Sequence, residues 1–443
     1  MLRKLVALML NFLLLAGIVP GLAGCGSPQQ KPAPPPVKIG VSFADQERDG
    51  NQAIRKAMEE RRRREQVDIR FMDAKNDAQE QEKQVDRLIQ EEVKAVVLQL
   101  ADPAAGPEMV EKLGRAGISV VALENLPENT PLDGYVASDQ AAIGEMQVRF
   151  VEQALRLAEG EAGPGGRGIP AVGPEVLAQL PPQRPLNVVV LQGDRRDQMA
   201  VNITAANLAA MEGNPNFNVV RVREHPRWDP RQVPATLAEV KAAADRIDVV
   251  LANDSRLALA AVEFLKAGGL EARVLTVGAG ADRESSRAIA AGEHDAEVDV
   301  MAEMLGQYAF DAAVGLAEAD HWQFDRTVPA GDYNIPAKII PVRLVAAKNI
   351  YLLEQRWGKL EQEGRQGGQE GGQEPGSGGG GGQGGEEQQK EKQQQGGQEK
   401  TTLRIQTEDG KTLEVEIDGA VKKIEAVEEG GRQQQQQGGG GGQ

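Results

Sequence analysis

Short apolar runs alternate with longer amphipathic segments along most of the chain. Unbroken runs such as Val96-Val97-Leu98 are typical of strands that helices cover on both faces. Strands and helices that alternate at this spacing predict a parallel, doubly wound sheet. The first series is predicted to contain strands at 37–43, 67–72, 94–100, 118–123 and 134–138, and helices at 52–66, 79–92 and 107–116.

The same pattern starts again in the second half of the chain. A helix is predicted at 141–158, and the Gly-, Pro- and Ala-rich stretch 159–185 is expected to be a long loop or insertion. The sequence therefore predicts two α/β lobes of one design. The second series is predicted to contain strands at 186–191, 218–223, 248–252 and 274–277, and helices at 200–211, 233–244, 256–267 and 285–291.

Beyond about residue 360 the chain is dominated by Gly, Gln and Glu. We expect a linker over 361–400 and a disordered tail over 428–443, because such segments bury too little apolar surface to fold. Between them, 401–427 is predicted to form a small β element. Apolar and polar residues alternate on both sides of Asp409-Gly410, which predicts a hairpin with a two-residue turn. An isolated hairpin is marginal in water, so 421–427 is a candidate third strand.

The N-terminal segment has the pattern of a secretory signal peptide. Arg3 and Lys4 precede an apolar run over 5–19, which is shorter than a comfortable membrane span. The stretch Leu-Ala-Gly-Cys that ends at Cys25 resembles the lipobox of bacterial lipoproteins. This resemblance implies that signal peptide 1–25 is cleaved before Cys25 and that the thiol carries a lipid. Residues 26–36 are expected to form an extended tether.

Composition narrows the possible functions. The net charge of −16 and pI near 4.9 disfavour nucleic acid as a partner. Cys25 is the single cysteine, so no internal disulfide can form. With three histidines and no catalytic or metal-binding motif, we expect neither an enzyme nor a metal or other cofactor. A repressor of similar fold would need an N-terminal helix-turn-helix, where this chain has its signal peptide.

Several local stretches, taken in order, resemble one protein family. They are 37–41, 102–105, 135–139, 252–254 and 339–345, the last followed by Asn349. From about residue 37 to about residue 360 the chain resembles the type I periplasmic binding proteins, the group that includes ribose-, galactose- and xylose-binding proteins. The resemblance implies a multi-strand hinge and a ligand cleft between the lobes. The expected division is 37–139 with about 283–322, and 140–282 with about 323–360.

The resemblance also implies site residues. Trp228 follows the second strand of lobe two, where galactose-binding proteins stack an indole on the sugar; packing in the lobe core is the alternative. Asn253 matches an asparagine that hydrogen-bonds a hydroxyl, and Asp254 is expected to fix the loop. Asp139 lies at the hinge, as a ligand contact or a helix cap. The further positions that the resemblance assigns to the ligand are Gln99, Asp102 and Asp299.

The chain also departs from the family pattern. Gly280 stands where the family has a ligand-binding Asp, an Arg near the start of the first helix of lobe two is missing, and the first-lobe aromatic is absent from 45–50. The remaining cleft candidates are acidic, which suggests a cationic or amino-bearing polyol. Alternatively, most of these carboxylates are solvated loop charges. The five acidic candidates are Asp45, Glu47, Asp49, Asp197 and Asp299.

The resemblance implies a lipid-anchored, extracytoplasmic receptor for a small sugar-like solute, with the permease of an ABC transporter as its partner. One alternative stays open. A degenerate binding protein with a reduced sugar site could act as a sensor co-receptor or as a cell-envelope scaffold.

Overall fold

The computed structural model describes residues 36–158, 180–244, 246–360, 400–406 and 412–418. The predicted signal peptide, lipobox and tether lie outside the described residues, as do most of the insertion after 158 and the Gly/Gln-rich segments. Within the described ranges, we find no helix with the length and apolar character needed to span a membrane.

The strands form two sheets of the main body and a separate hairpin. In chain order they are β1 Lys38–Phe43, β2 Asp68–Asp73, β3 Ala95–Leu98, β4 Ser119–Leu123, β5 Gly134–Ser138, β6 Leu186–Gln192, β7 Phe217–Glu224, β8 Val249–Ala252, β9 Leu275–Ala279, β10 Ala296–Asp299, β11 Arg326–Ala330, β12 Tyr333–Ile340, β13 Arg343–Ala346, β14 Lys400–Gln406 and β15 Thr412–Asp418.

Helices connect most of these strands. In chain order they are α1 Asp49–Glu65, α2 Ala78–Gln90, α3 Gly106–Arg115, α4 Gln140–Ala158, α5 Gln198–Met211, α6 Val233–Ala243, α7 Ser255–Ala267, α8 Arg283–Ala291, α9 Ala302–Ala319 and α10 Glu354–Trp357.

Both sheets of the main body are largely parallel. The first has the order β11-β12-β5-β4-β3-β1-β2, and the second has the order β13-β10-β9-β8-β6-β7. In each sheet the one antiparallel strand lies at an edge: β11 pairs with β12, and β13 pairs with β10. The expected fold of two doubly wound lobes is therefore confirmed. The strand orders also have the topological switch that places ligand sites at the carboxyl ends of strands.

Each sheet is covered on both faces, which explains the unbroken apolar runs. In the first lobe, one core contains residues from α1 and α9, and the other contains residues from α2 and α3. In the second lobe, one core includes residues of α4, and the other includes residues of α6 and α7. Val96, Val97 and Leu98 are all at most 1% exposed because β3 lies inside its sheet.

The chain crosses between the lobes at points that differ from the expected division. We expected residues from about 283 to 322 in the first lobe, but α8 and β10 belong with the second, where β10 pairs with β9 and β13. We expected 323–360 in the second lobe, but β11 and β12 extend the first sheet, and β12 runs parallel to β5. Buried Ile335, Ala337 and Ile340 fix β12 in the first lobe.

The C-terminal β element forms its own unit. The two sheets belong to one compact unit, and the β14–β15 hairpin belongs to another. β14 and β15 are antiparallel, and Leu403 pairs with Val415. The predicted Asp409-Gly410 turn and the candidate third strand at 421–427 lie outside the described residues.

Candidate ligand-binding cleft

A cavity of about 240 Å³ lies where the carboxyl ends of the two parallel sheets face each other. Its walls come from loops that follow the strands. Gln99 follows β3 and Glu124 follows β4 in the first lobe, while Asp194 follows β6 and Asp254 follows β8 in the second. Open α/β sheets bind ligands at this edge, where strand-to-helix loops bring side chains from distant sequence positions together.

Two polar contacts join the lobes beside the cavity. Nη1 of Arg196, in the second lobe, donates to Oδ2 of Asp102 in the first, at 2.9 Å. The backbone N–H of Arg283 donates to Oδ2 of Asp49 at 2.7 Å. These contacts hold the two walls together around the cavity.

Aspartates at helix starts fix the cleft loops. Asp102 accepts a hydrogen bond from the Ala104 amide, Asp197 from the Met199 amide and Asp254 from the Leu257 amide, at 3.1, 3.0 and 2.7 Å. Such caps satisfy helix N–H groups that have no partner within the helix. Each cap uses one carboxylate oxygen, and the second oxygen of Asp102 and of Asp254 accepts from Arg196 and Arg256.

Trp228 packs in the core of the second lobe and also lines the cavity. It is 8% exposed and belongs to a core cluster with Val233 and Leu237. A Cβ on Gly193 would overlap its ring, so this close approach requires glycine. The indole is thus a rigid wall of the cleft.

Backbone strain concentrates around the cavity. Asn76, Glu124, Arg227 and Trp228 all line it, and all have φ between 56° and 64°. Left-handed backbone at residues other than glycine costs free energy and persists where the surroundings determine it, most often at functional sites. The strain indicates that the positions of these side chains are built into the fold.

Two buried carboxyl groups face the cavity from opposite lobes. Glu124 is 8% exposed and its Oε2 accepts hydrogen bonds from the Ser138 Oγ and N–H, at 2.9 and 3.2 Å. Burial raises the pKa of Glu124 to about 7, and the nearby charge of Asp197 adds to the shift. Burial likewise raises the pKa of Asp197 to about 6, although the Met199 amide and the Arg48 charge oppose the shift.

A third carboxyl group and two guanidinium groups lie elsewhere on the cavity wall. Burial, together with the charges of Glu297 and Asp254, raises the pKa of Asp282 to about 7. Burial lowers the pKa of Arg48, and repulsion from Arg256 across the cleft lowers it further. Among the described residues, the buried Nε of Arg48 has no hydrogen-bond partner. Arg48 lines the cavity and brings a positive charge to the first-lobe wall.

Amides complete the first-lobe wall. Gln99 and Asn51 exchange hydrogen bonds, with Asn51 Nδ2 to Gln99 Oε1 at 2.7 Å and Gln99 Nε2 to Asn51 Oδ1 at 2.9 Å. Both residues line the cavity beside Asn125, whose Oδ1 accepts from the Leu100 amide. Planar amide groups of this kind suit the hydroxyl groups of polyols.

Four of the predicted site residues lie outside the cavity lining, and the structure gives their side chains other partners. The side chain of Asn253 is occupied by Thr204 and by the Ala200 carbonyl. Asp299 is completely buried in ion pairs with Arg343 and Arg356.

The other two residues fix backbone segments, and for Asp139 this agrees with the helix-cap alternative. Asp139 accepts from the Ala142 amide and so acts as a helix cap. Asp45 accepts from the Glu47 amide and from Asn76 Nδ2. Of the predicted residues, Trp228, Gln99, Asp102 and Asp197 line the cavity, whereas of the five acidic candidates only Asp197 does.

Other cavity residues were missed by the sequence argument. Glu124 and Asn125 directly follow the predicted strand 118–123, so the rule that ligands bind at strand ends would have selected them. Gly280 does line the cavity, where its φ of 127° favours glycine. The further missed residues that line the cavity are Arg48, Asn51, Asp194, Arg227, Arg256 and Asp282.

Comparison with protein families gives one match over most of the body. The periplasmic binding protein domain family matches residues 39–320. The ribose import binding protein of Bacillus subtilis is 24% identical over 279 residues, which cover 62% of this chain and 80% of the relative. The D-xylose-binding periplasmic protein of Escherichia coli is 21% identical over 319 residues, which cover 71% of this chain and 88% of the relative.

Solved structures share the fold at low sequence identity. A solute-binding protein of an ABC transporter from Bacillus halodurans, with bound myo-inositol, has a TM-score of 0.59 at 20% identity and covers 74% of this chain and 100% of its own. One from Clostridium phytofermentans, with bound β-D-glucose, has a TM-score of 0.61 at 17% identity and covers 73% and 98%.

Proposed function

Because the chain belongs to the periplasmic binding protein domain family, we propose that it is a lipid-anchored, extracytoplasmic receptor that captures a small sugar-like solute and delivers it to an ABC transporter. The observation that carries the proposal is the cavity between the carboxyl ends of two parallel sheets, lined by amide, carboxylate and guanidinium groups and by one indole. Ligand pockets combine such a concave site with a few converging polar groups.

Size and chemistry support a sugar or related polyol. The cavity of about 240 Å³ is a little smaller than the ~300–1,000 Å³ that is usual for small-molecule sites. Two fold relatives have myo-inositol and β-D-glucose bound. We propose that Trp228 packs against the apolar face of the ring, and that Gln99, Asn51 and Arg48 bind hydroxyl groups.

Buried polar groups would also give selectivity. An analogue that lacks a hydroxyl group leaves an amide or carboxylate of the closed cleft unpaired. This costs binding free energy, so the cleft rejects the analogue. The family is one of binding and transport proteins, and the site residues fit that use: they hold hydroxyl groups in place.

The anchor and the transporter partner belong to the same proposal. The sequence around Cys25 supports lipidation, and the family supports an extracytoplasmic location. Substituting Cys25→Ser tests the anchor directly: we expect metabolic labelling with a fatty acid to disappear and the protein to move from the membrane fraction to the soluble fraction. Labelling that persists in Cys25→Ser would contradict lipidation at this residue.

Native mass spectrometry of the protein, purified without denaturant from a culture in rich medium, tests solute capture. A bound mass in the range of a monosaccharide or inositol supports the receptor and nearly identifies its solute. A cleft that stays empty, also after incubation with a library of sugars and inositols, would contradict the proposal and favour the sensor or scaffold alternative.

A further inference from the structure

The carboxyl groups of Glu124 and Asp197 lie on opposite walls of one cavity. Glu124 follows β4 in the first lobe, and Asp197 caps α5 in the second. Both line the cavity, both are less than 9% exposed, and the charge of Asp197 acts on Glu124. Two anionic groups that approach each other across a closing cleft repel one another unless a cation separates them.

Among the described residues, neither carboxyl group has an ion pair within 4.0 Å, although the charge of Arg48 and the Trp228 side chain act on Asp197. The Oε2 atom of Glu124 accepts from Ser138, while none of the described residues donates a hydrogen bond to Oε1. Asp197 uses Oδ1 to cap its helix. By contrast, Asp102 and Asp194 in the same cavity are both paired with Arg196.

The surroundings hold Glu124 in place. Its φ of 64° is left-handed, and its carbonyl oxygen accepts from the Tyr135 hydroxyl at 2.8 Å and from Gln140 Nε2 at 3.0 Å. Gln140 in turn accepts from Asn202 of the second lobe. A buried carboxyl group that lines a cavity and is positioned this firmly is suited to a fixed donor on a ligand.

We propose, on the basis of the solute-receptor function above, that the solute is an amino-bearing polyol whose ammonium group is bound between Glu124 and Asp197. The arrangement adds charge-assisted hydrogen bonds from both lobes, so the ammonium group favours the closed cleft. The Gln99–Asn51 amide pair then faces the hydroxyl groups from the first-lobe wall.

The proposal implies that pH affects amine and neutral ligands differently. The pKa of Glu124 is raised to about 7 and that of Asp197 to about 6. Ser138, Asp197 and Tyr135 face Glu124, while Arg48, Asp194 and Trp228 face Asp197. Lowering the pH from 8 to 5 protonates the pair and should weaken the binding of an amine that is already protonated at pH 8, whereas a neutral polyol needs no carboxylate charge.

The test is calorimetric titration of the purified protein with matched ligand pairs: glucosamine with glucose, and an aminodeoxyinositol with myo-inositol, each at pH 8 and pH 5. We expect at least one amine to bind tenfold or more tightly than its neutral parent at pH 8. Glu124→Gln should abolish this preference, so that the amine and its neutral parent then bind about equally. Asp197→Asn, which keeps a helix cap, provides a second variant, and Glu263→Gln, at an exposed position of α7 outside the cavity lining, is the matched control.

The possible outcomes separate the two proposals. If a neutral parent binds as tightly as its amine at pH 8, the ammonium site is wrong and the receptor function stands. The same holds if the preference survives in both Glu124→Gln and Asp197→Asn, each shown to be folded by circular dichroism. If no polyol binds, charged or neutral, the receptor function itself fails.

Discussion

Glu124 illustrates how a cleft side chain can lower the stability of the protein that carries it. Its ordinary pKa is 4.5, and burial raises this value to about 7 in the folded state. Between these pH values the folded protein holds a proton that the unfolded chain has released. The free energy of unfolding contributed by this residue therefore falls as pH rises from about 4.5 to about 7.

Replacing Glu124 with Gln should remove this penalty. We expect Glu124→Gln to raise the free energy of unfolding at pH 8 by up to roughly 3 kcal/mol, and by about 2 kcal/mol less at pH 5, as linkage predicts for a shift of this size. Urea unfolding at both pH values measures the difference. Glu128→Gln, in the same loop but exposed, is the control and should change little. An equal gain in the free energy of unfolding at both pH values would mean that the titration of Glu124 is not the source of the gain.

The position of the Trp228 indole depends on a neighbouring glycine. A Cβ on Gly193 would overlap the six-membered ring of Trp228, so Gly193→Ala must push the indole aside. We expect a loss of about 1–3 kcal/mol in the free energy of unfolding, as for other overpacked sites, and weaker solute binding.

Gly114→Ala is the matched control for this change. A Cβ on Gly114 meets nothing within 4 Å, and alanine favours helix, so a gain of up to about 1 kcal/mol is expected in α3. Denaturant unfolding and near-ultraviolet circular dichroism of the tryptophans follow both variants. If Gly193→Ala is as stable as Gly114→Ala, the position of the Trp228 indole does not depend on glycine at 193.

The helices and strands of both lobes could be predicted from sequence because the apolar pattern determines them locally. The predicted strand 134–138 coincides with β5, and the predicted helix 256–267 differs from α7 by one residue. The crossings between lobes could not be predicted in this way. β12 is apolar enough for either sheet, and only pairing with β5, about 200 positions earlier, decides its lobe.

The same limit applies to the cleft. Trp228, Gln99, Asp102 and Asp197 could be found because they follow strands or cap helices. Asp299 also ends a strand, but its carboxylate accepts hydrogen bonds from Arg343 and Arg356. These two residues lie 44 and 57 positions later in the chain. Long-range ion pairing of this kind leaves no local signal in the sequence.

The short helix α10 holds the two lobes at their connection. Arg356 is 4% exposed and pairs with Asp299 at the end of β10 and with Glu303 at the start of α9. Since α9 packs in the first lobe and β10 in the second, this guanidinium group joins both. Removing it leaves Asp299 buried with Arg343 alone.

We therefore expect Arg356→Ala to lower the free energy of unfolding by about 2–4 kcal/mol, because it removes one of the two guanidinium partners of a completely buried carboxylate. Arg115→Ala, which removes an exposed pair with Glu111, should change it by less than about 1 kcal/mol. Thermal and urea unfolding measure both. Similar small losses in the two variants would mean that α10 does not fasten the lobes.

Capture of a solute by the proposed receptor depends on how readily the two lobes close. When the binding-competent form is a fraction of all molecules, the apparent dissociation constant rises as that fraction falls. Contacts between the lobes that do not involve the ligand therefore affect the affinity for the solute. Asp49 provides such a contact, because it accepts from the Arg283 amide across the lobes and is not among the residues that line the cavity.

Asp49→Ala removes this bond, and a net hydrogen-bond contribution of about 0.5–1.5 kcal/mol predicts solute binding that is about 2–10-fold weaker. Small-angle scattering should show a more open average form at partial saturation, with the same compact form at full saturation. Glu47→Ala, an exposed neighbour in the same loop, is the control and should bind as the unmodified protein does. Unchanged affinity in Asp49→Ala would mean that the Asp49–Arg283 bond does not contribute to closure, and that the ligand itself supplies the free energy that joins the lobes.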